Sequence, residues 1–212
     1  MSVISRLYDN YSDAARAVSD LERAGVPRDD ISLVANNSEG WYRENGDSAG
    51  DGSRRVDRDH DGVDDRAEGA ATGAGIGAAL GGAAGLLAGL GMLAIPGLGP
   101  VVAAGWLAST AAVALAGGTA GGIIGALTQA GVSEDEANVY AEGVRRGGTL
   151  VTARVPDGER SRFEAILDRS AVNIRERASL YQQGGWSRFD PNAPAYTDEQ
   201  IRREREQYRT RM

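Results

Sequence analysis

Apolar and polar positions alternate through VISRLY (residues 3 to 8), which predicts a strand, and recur at helical spacing through SDAARAVSDLERAG, with Ala14, Val18 and Leu21 inward. Ser12 is placed to cap that helix. Gly25, Val26 and Pro27 stop it, and ISLVA (31 to 35) predicts a second strand, completing one βαβ unit. The pattern returns late in the chain. TLVTARV (149 to 155) predicts a strand, DGERSRFEAILDRS a helix with Phe163, Ile166 and Leu167 on one face, and VNIRERA a closing strand. A further helix, SEDEANVYAEGVRRGG, leads into this second half. Ser133 and Glu136 have capping-box spacing, Gly147 is its stop, and Ala137, Tyr140, Ala141 and Val144 form its core stripe. Neither βαβ unit is large enough to bury its own sheet face. The expected fold is therefore α+β, a ferredoxin-like βαβ plus αβαβ sandwich.

Between the halves the pattern disappears. From Gly69 to Ser133 no side chain is ionisable, and glycine recurs at every fourth position as Gly69, Gly73, Gly77, Gly81, Gly85 and Gly89. Each glycine in a water-exposed helix costs roughly 1 kcal/mol against alanine, so the row costs on the order of 6 kcal/mol unless a surface packs against it. Such a segment needs a close partner: lipid, another copy of itself, or both. Gly97 to Gly99 lie between Pro96 and Pro100 and read as the tip of a glycine/alanine-rich helical hairpin. Its arms of about 26 and 29 residues would each be roughly 40 Å long. The second arm continues the small-residue row through Gly105, Ser109, Gly117, Gly121 and Gly125, interrupted by Val113. If both flanks share one sheet, the insertion crosses any barrier an even number of times. The expected organisation is 1–36, first half of the α+β domain; 37–68, acidic linker; 69–131, hairpin; 132–178, second half; 179–212, aromatic tail and short charged helix.

Composition narrows the function. The chain has 212 residues, net charge -7 and pI about 4.8, which argues against nucleic acid as a partner. Cysteine is absent, removing thiol chemistry and disulfides, and the N-terminus has no basic-then-apolar leader pattern. The expected location is the cytoplasmic face of a bacterial inner membrane, or the cytoplasm if the hairpins pack against one another in water.

One piece of the acidic linker carries metal-site spacing. Asp57, Asp59, Asp61, Gly62, Val63, Asp65 and Glu68 fall on positions 1, 3, 5, 6, 7, 9 and 12 of a calcium loop, Val63 contributing its backbone carbonyl. Calcium is thus the one expected cofactor; the alternative is a solvated acidic linker. Position 8 is Asp64 instead of an aliphatic residue, and no helix enters the loop. Catalysis has little to work with. The only histidine, His60, lies in that loop, lysine is absent, and the run Gly73, Gly75, Ala78 follows a linker instead of a strand, so it is zipper, not a dinucleotide fingerprint. No enzyme activity and no small-molecule substrate are expected. In the tail, Trp186, Phe189, Pro191, Pro194 and Tyr196 precede a helix begun by Thr197 and Gln200, read either as a solvated helix stabilised by its own ion pairs or, the favoured reading, as an aromatic-anchored arm that docks on a neighbouring subunit.

The opening SRLYDNYSDAARAVSDLERAGVPRDDISLVAN, the glycine-rich centre and the return GVSEDEANVYAEGVRRGGTLVTARV resemble bacterial general stress proteins of the heat-induced YflT type and their relatives with a glycine-zipper insertion. The resemblance covers most of residues 1 to 178. It implies stress-linked expression and no enzyme. The function expected is a non-enzymatic stress protein that self-associates through Gly69, Gly73, Gly77, Gly81, Gly85, Gly89, Gly117, Gly121 and Gly125 and sits in or on the membrane. The alternative is a soluble ring, particle or filament.

Overall fold

The computed structural model describes residues 1–38, 40, 91–110 and 122–211. Among them are strands β1 (Ser2–Tyr8), β2 (Ile31–Asn36), β3 (Gly91–Ile95), β4 (Gly99–Gly105) and β5 (Thr149–Val155). The helices are α1 (Tyr11–Arg23), α2 (Gly122–Gln129), α3 (Glu134–Arg145), α4 (Arg160–Leu167), α5 (Ile174–Gln183) and α6 (Asp198–Arg211), and residues 106–110 are also helical. The fold is α+β. The sheet is antiparallel throughout, in the order β1-β5-β2-β4-β3. β5 therefore slots between β1 and β2, two parallel strands joined by α1, with Ile4 opposite Ala153 and Ala153 opposite Ile31.

Both sheet faces are covered. Ile4, Ile31, Leu33, Val102, Val151 and Ala153 pack beneath α1 and α4, where Ala14, Val18, Leu21, Phe163 and Leu167 meet them. On the other face Leu7, Val34, Val101, Ala103 and Leu150 pack against α2 and α3 through Ile123, Leu127, Ala137, Tyr140, Ala141 and Val144. β2 is buried at all six positions, as a strand covered on both sides must be. Strands β1, β5 and β2 each carry a polar side chain on the second face, and these find partners. Ser5 and Thr152 hydroxyls lie 3.3 Å apart, and Ser32 donates to the Ala104 carbonyl at 2.7 Å.

Three sequence expectations need correction. Residues 91–105 belong to no helical arm of a 69–131 hairpin: they form a β-hairpin that extends the sheet beyond β2. The tip is where expected, with Gly97 at φ +75° and Gly99 at φ +84° and the Leu98 amide bonded to the Ile95 carbonyl at 3.0 Å. Pro96, Gly97, Gly99 and Pro100 break any helix here, and Val101 and Val102 favour strand. Gly105, expected in the small-residue row of a helix, ends β4 at φ +84° instead. Second, VNIRERA is not a strand. Asn173 caps a helix there, its side chain accepting from the amides of Arg175 and Glu176 at 3.1 and 3.4 Å. One bond beside β1 marks where the chain passes, the Val172 amide donating to the Leu7 carbonyl at 2.8 Å. Helix α1 likewise starts from Asn10 instead of Ser12, the Asn10 side chain accepting from the Asp13 amide at 2.8 Å. Gly25 (φ +100°) and Gly147 (φ +95°) stop α1 and α3 as expected.

Gly105 and Gly125 should respond oppositely to alanine. A Cβ at Gly105 would enter the Ile31 carbonyl from a left-handed backbone, whereas a Cβ at Gly125 meets nothing within 4 Å. Gly105→Ala is expected to lose at least about 2 kcal/mol in urea unfolding, and Gly125→Ala to gain up to about 1 kcal/mol.

Candidate functional site

The most concentrated chemistry lies where the C-terminal segment crosses α3. The Ser133 hydroxyl accepts from the Glu136 amide at 3.3 Å and fixes the start of α3. Two turns on, the Glu142 side chain is wholly buried, 0% exposed. It accepts from Arg146 Nε at 2.7 Å and Arg145 Nη1 at 3.2 Å. Arg146 also reaches Glu204 of α6 at 3.0 Å, and its guanidinium lies 4.3 Å from the ring centre of Tyr181 of α5. The Arg145 guanidinium sits 4.8 Å from the ring of Tyr196 and donates to the Pro194 carbonyl at 3.0 Å. On the far side of Tyr208, which bonds Glu204, Arg177 stacks at 3.7 Å from the phenol ring and pairs with Asp9 at 2.8 Å. Arginine suits these positions because a planar, weakly hydrated guanidinium can stack and bond at once.

Burial shapes the protonation of this cluster. It pushes the Tyr181 phenol up to about 12 against the opposing pull of Arg177 and Arg146. Tyr140 is pushed to about 12 for the same reason, and its hydroxyl donates to the Ser5 carbonyl at 2.7 Å. Tyr208 is raised further by burial, by Tyr181 and by Glu204. Desolvation pulls the Arg146 guanidinium down, but the bond and charge of Glu142, with Glu204, outweigh it and hold it above its ordinary value. The Tyr181 hydroxyl is buried without a hydrogen-bond partner among the described residues. At neutral pH the cluster is thus a charge-saturated fastener, with its phenols neutral and its guanidiniums engaged.

The same segment is pinned elsewhere. Phe189 is buried in the second-face core and its amide donates to Asn138 Oδ1 at 3.3 Å. Gly97 lies so close that a Cβ there would stand 2.8 Å from the Asp190 carbonyl and the Pro191 Cα. Thr197 and Gln200 form the expected capping box, each backbone amide bonding the other's side chain at 2.9 and 3.4 Å. The tail therefore packs against its own domain through Phe189, Asp190 and Pro191.

Two clefts flank the fastener. One, of about 830 Å³, lies between Asp9 and Asp13 at the β1–α1 corner, Arg177 of α5, and Arg202 and Tyr208 of α6. The other, about 490 Å³, lies at the start of α3 beside Trp186 and Arg188. Both mix acidic and basic side chains. Among the described residues no three His, Asp or Glu side chains are grouped to hold a metal. Asp57, Asp59, Asp61, Val63, Asp65 and Glu68 lie outside the described residues, as do Gly69, Gly73, Gly77, Gly81, Gly85, Gly89, Gly117 and Gly121. Gly125 alone of the expected contact residues is described, half-buried on α2 with open space above it. The fastener escaped the sequence reading. Ile201, Glu204, Arg205 and Tyr208, spaced three, four and seven apart on α6, carried the signal that one face of that charged helix is covered.

Glu142→Gln removes the carboxylate that Arg145 and Arg146 share and leaves Arg146 only Glu204, and a loss of about 3 kcal/mol in urea unfolding is expected. The tyrosines set an alkaline limit. Their folded pKa lies above the unfolded value near 10, so their contribution is complete below pH 10 and drains away between pH 10 and about 12. Thermal unfolding measured across that window should show a falling midpoint, and Tyr181→Phe should make the fall shallower while costing little at pH 7. No family model, curated protein or solved structure matches this chain.

Proposed function

We propose that the protein is a non-enzymatic, self-associating module whose copies join through the glycine row of residues 69–89. The uncharged run from Gly69 to Ser133 carries this reading. Its described parts, β3, β4 and α2, are used to extend the sheet and cover its second face, while the six regularly spaced glycines fall in the part before Gly91. Glycine at that spacing lets helical backbones approach closely, and another copy of the same row is the surface that matches it. Gly125, open above its Cα, adds a small-residue contact on the same run. A charge-saturated cluster is consistent with a structural role and not a reactive one.

Topology favours assembly over a spanning hairpin. β2 and β4 are paired in one sheet, so the chain between them crosses a bilayer an even number of times. Two crossings need about 40 apolar residues, and the charge-free stretch before Gly91 starts only at Gly69. No helix among the described residues is long and apolar enough to cross a membrane. The membrane-facing alternative is then peripheral contact at the inner face. The ferredoxin-like kinship of β1, β5 and β2 belongs to this proposal, as does a role in stress, which rests on the resemblance of the flanking segments alone.

Detergent-free lysis followed by ultracentrifugation and sedimentation velocity is the test. A soluble species of defined size, larger than one 22.2 kDa chain, is expected, and Gly77→Leu with Gly81→Leu should reduce its size. Recovery of the wild type only as a single chain overturns self-association, and recovery only in the membrane pellet favours lipid. The calcium spacing is a separate proposal. Calorimetry at millimolar calcium should give heat that disappears in Asp57→Ala with Asp61→Ala, and no heat from the wild type removes calcium from the account.

A further inference from the structure

The two edges of the sheet are finished differently. At β1 the carbonyls of Val3, Ser5 and Leu7 point away from β5, and each is engaged. Arg160 donates to Val3 at 3.4 Å, the Tyr140 hydroxyl and Arg6 to Ser5 at 2.7 and 2.9 Å, and the Val172 amide to Leu7 at 2.8 Å. At β3 the ladder leaves the opposite situation. The Pro100 carbonyl accepts from the Asn37 amide at 2.9 Å, so Pro100 faces β2. Its partner across the hairpin, Ala94, therefore turns its N–H and C=O away from β4, and by alternation so does Met92. Among the described residues no strand pairs with that outer edge. Ala94 is exposed and Met92 is 45% exposed, while GMLAI carries neither the charge nor the proline by which sheet edges are ordinarily kept from pairing.

We propose that β3 pairs antiparallel with β3 of a second copy, about a two-fold axis through Leu93, so that two five-stranded sheets become one continuous sheet. In this register Met92 of each copy faces Ala94 of the other, and each of these pairs exchanges both of its backbone bonds. The outward groups are then satisfied by an identical set. A second copy is the occupant that fits: an uncharged strand meets itself without like-charge repulsion, and the Met92–Ala94 spacing is self-complementary about Leu93. A five-residue edge buries far less than the roughly 1,200 Å² of a stable interface, so the pairing works alongside the glycine row and rests on the self-association proposed above.

Because the chain has no cysteine, Leu93→Cys gives a single reporter on the axis. Facing residues of a non-hydrogen-bonded pair have Cα atoms about 4.5 Å apart, within disulfide range. Under mild oxidation, full-length Leu93→Cys is expected to form covalent dimer at least about tenfold faster than Ser12→Cys, an exposed site on α1. Ala94→Pro removes an outward N–H and spares the bonds to β4, and added to Leu93→Cys it should abolish the fast crosslink. Met92→Lys places a cation on the edge at an exposed position and should do the same with an unchanged circular dichroism spectrum, which decides the matter if the proline variant fails to fold. Should wild type sediment as an assembly while Leu93→Cys crosslinks no faster than Ser12→Cys, edge pairing is overturned and self-association stands. A wild type that is a single chain at every concentration overturns both.

Discussion

Everything in this fold depends on β5 entering between β1 and β2. Two parallel strands joined by the α1 crossover lie too far apart to bond each other, and β5, antiparallel to both, supplies donors and acceptors to each. Once it is in place, β2 lies inside the sheet and its far side is open for the hairpin of β3 and β4. Central strands with apolar side chains on both faces then require cover on both, and α1 with α4, and α2 with α3, provide it. The three-layer arrangement is thus a consequence of one pairing, and the uncharged insertion contributes a layer to the domain it interrupts.

The C-terminal segment acts as a fastener over this assembly. Its hold is divided between an apolar anchor, Phe189 in the second-face core, and a polar one, Glu142 with Arg145, Arg146 and Glu204. The two anchors differ in physical character. Burial of Phe189 involves no titrating group, whereas a desolvated carboxylate between two guanidiniums stabilises only while all members are present. Aromatic rings of Tyr181, Tyr196 and Tyr208 stack on the cations and exclude water from them, which strengthens each charge contact.

How much of this was legible in the sequence follows period by period. Helix α1 with Ala14, Val18 and Leu21, helix α3 with its Ser133 cap, and strands β1, β2 and β5 carried clear periodicity, and their residues lie where it put them. The hairpin of β3 and β4 did not, because a strand covered on both faces reads as a continuous apolar run, the same signal as a buried helix. Its Pro96, Gly97, Gly99 and Pro100 marked a turn without saying what the turn joined. VNIRERA alternates like a strand, yet Asn173 and the helix-favouring residues after it decide otherwise locally. The fastener was hidden for another reason: Glu142, Arg146, Tyr181 and Glu204 are far apart in the chain, and each alone looks like a solvated surface residue.

The position of β5 also sets a schedule for the growing polypeptide. About half of the chain's length separates β2 from the strand that must flank it, so during synthesis β1, α1 and β2 leave the ribosome long before their sheet can close. Throughout that interval the six positions of β2 lack the neighbour that buries them, while the acidic linker and then the glycine-rich stretch emerge. Translation therefore exposes the apolar face of β2 well before it delivers the strand that flanks it.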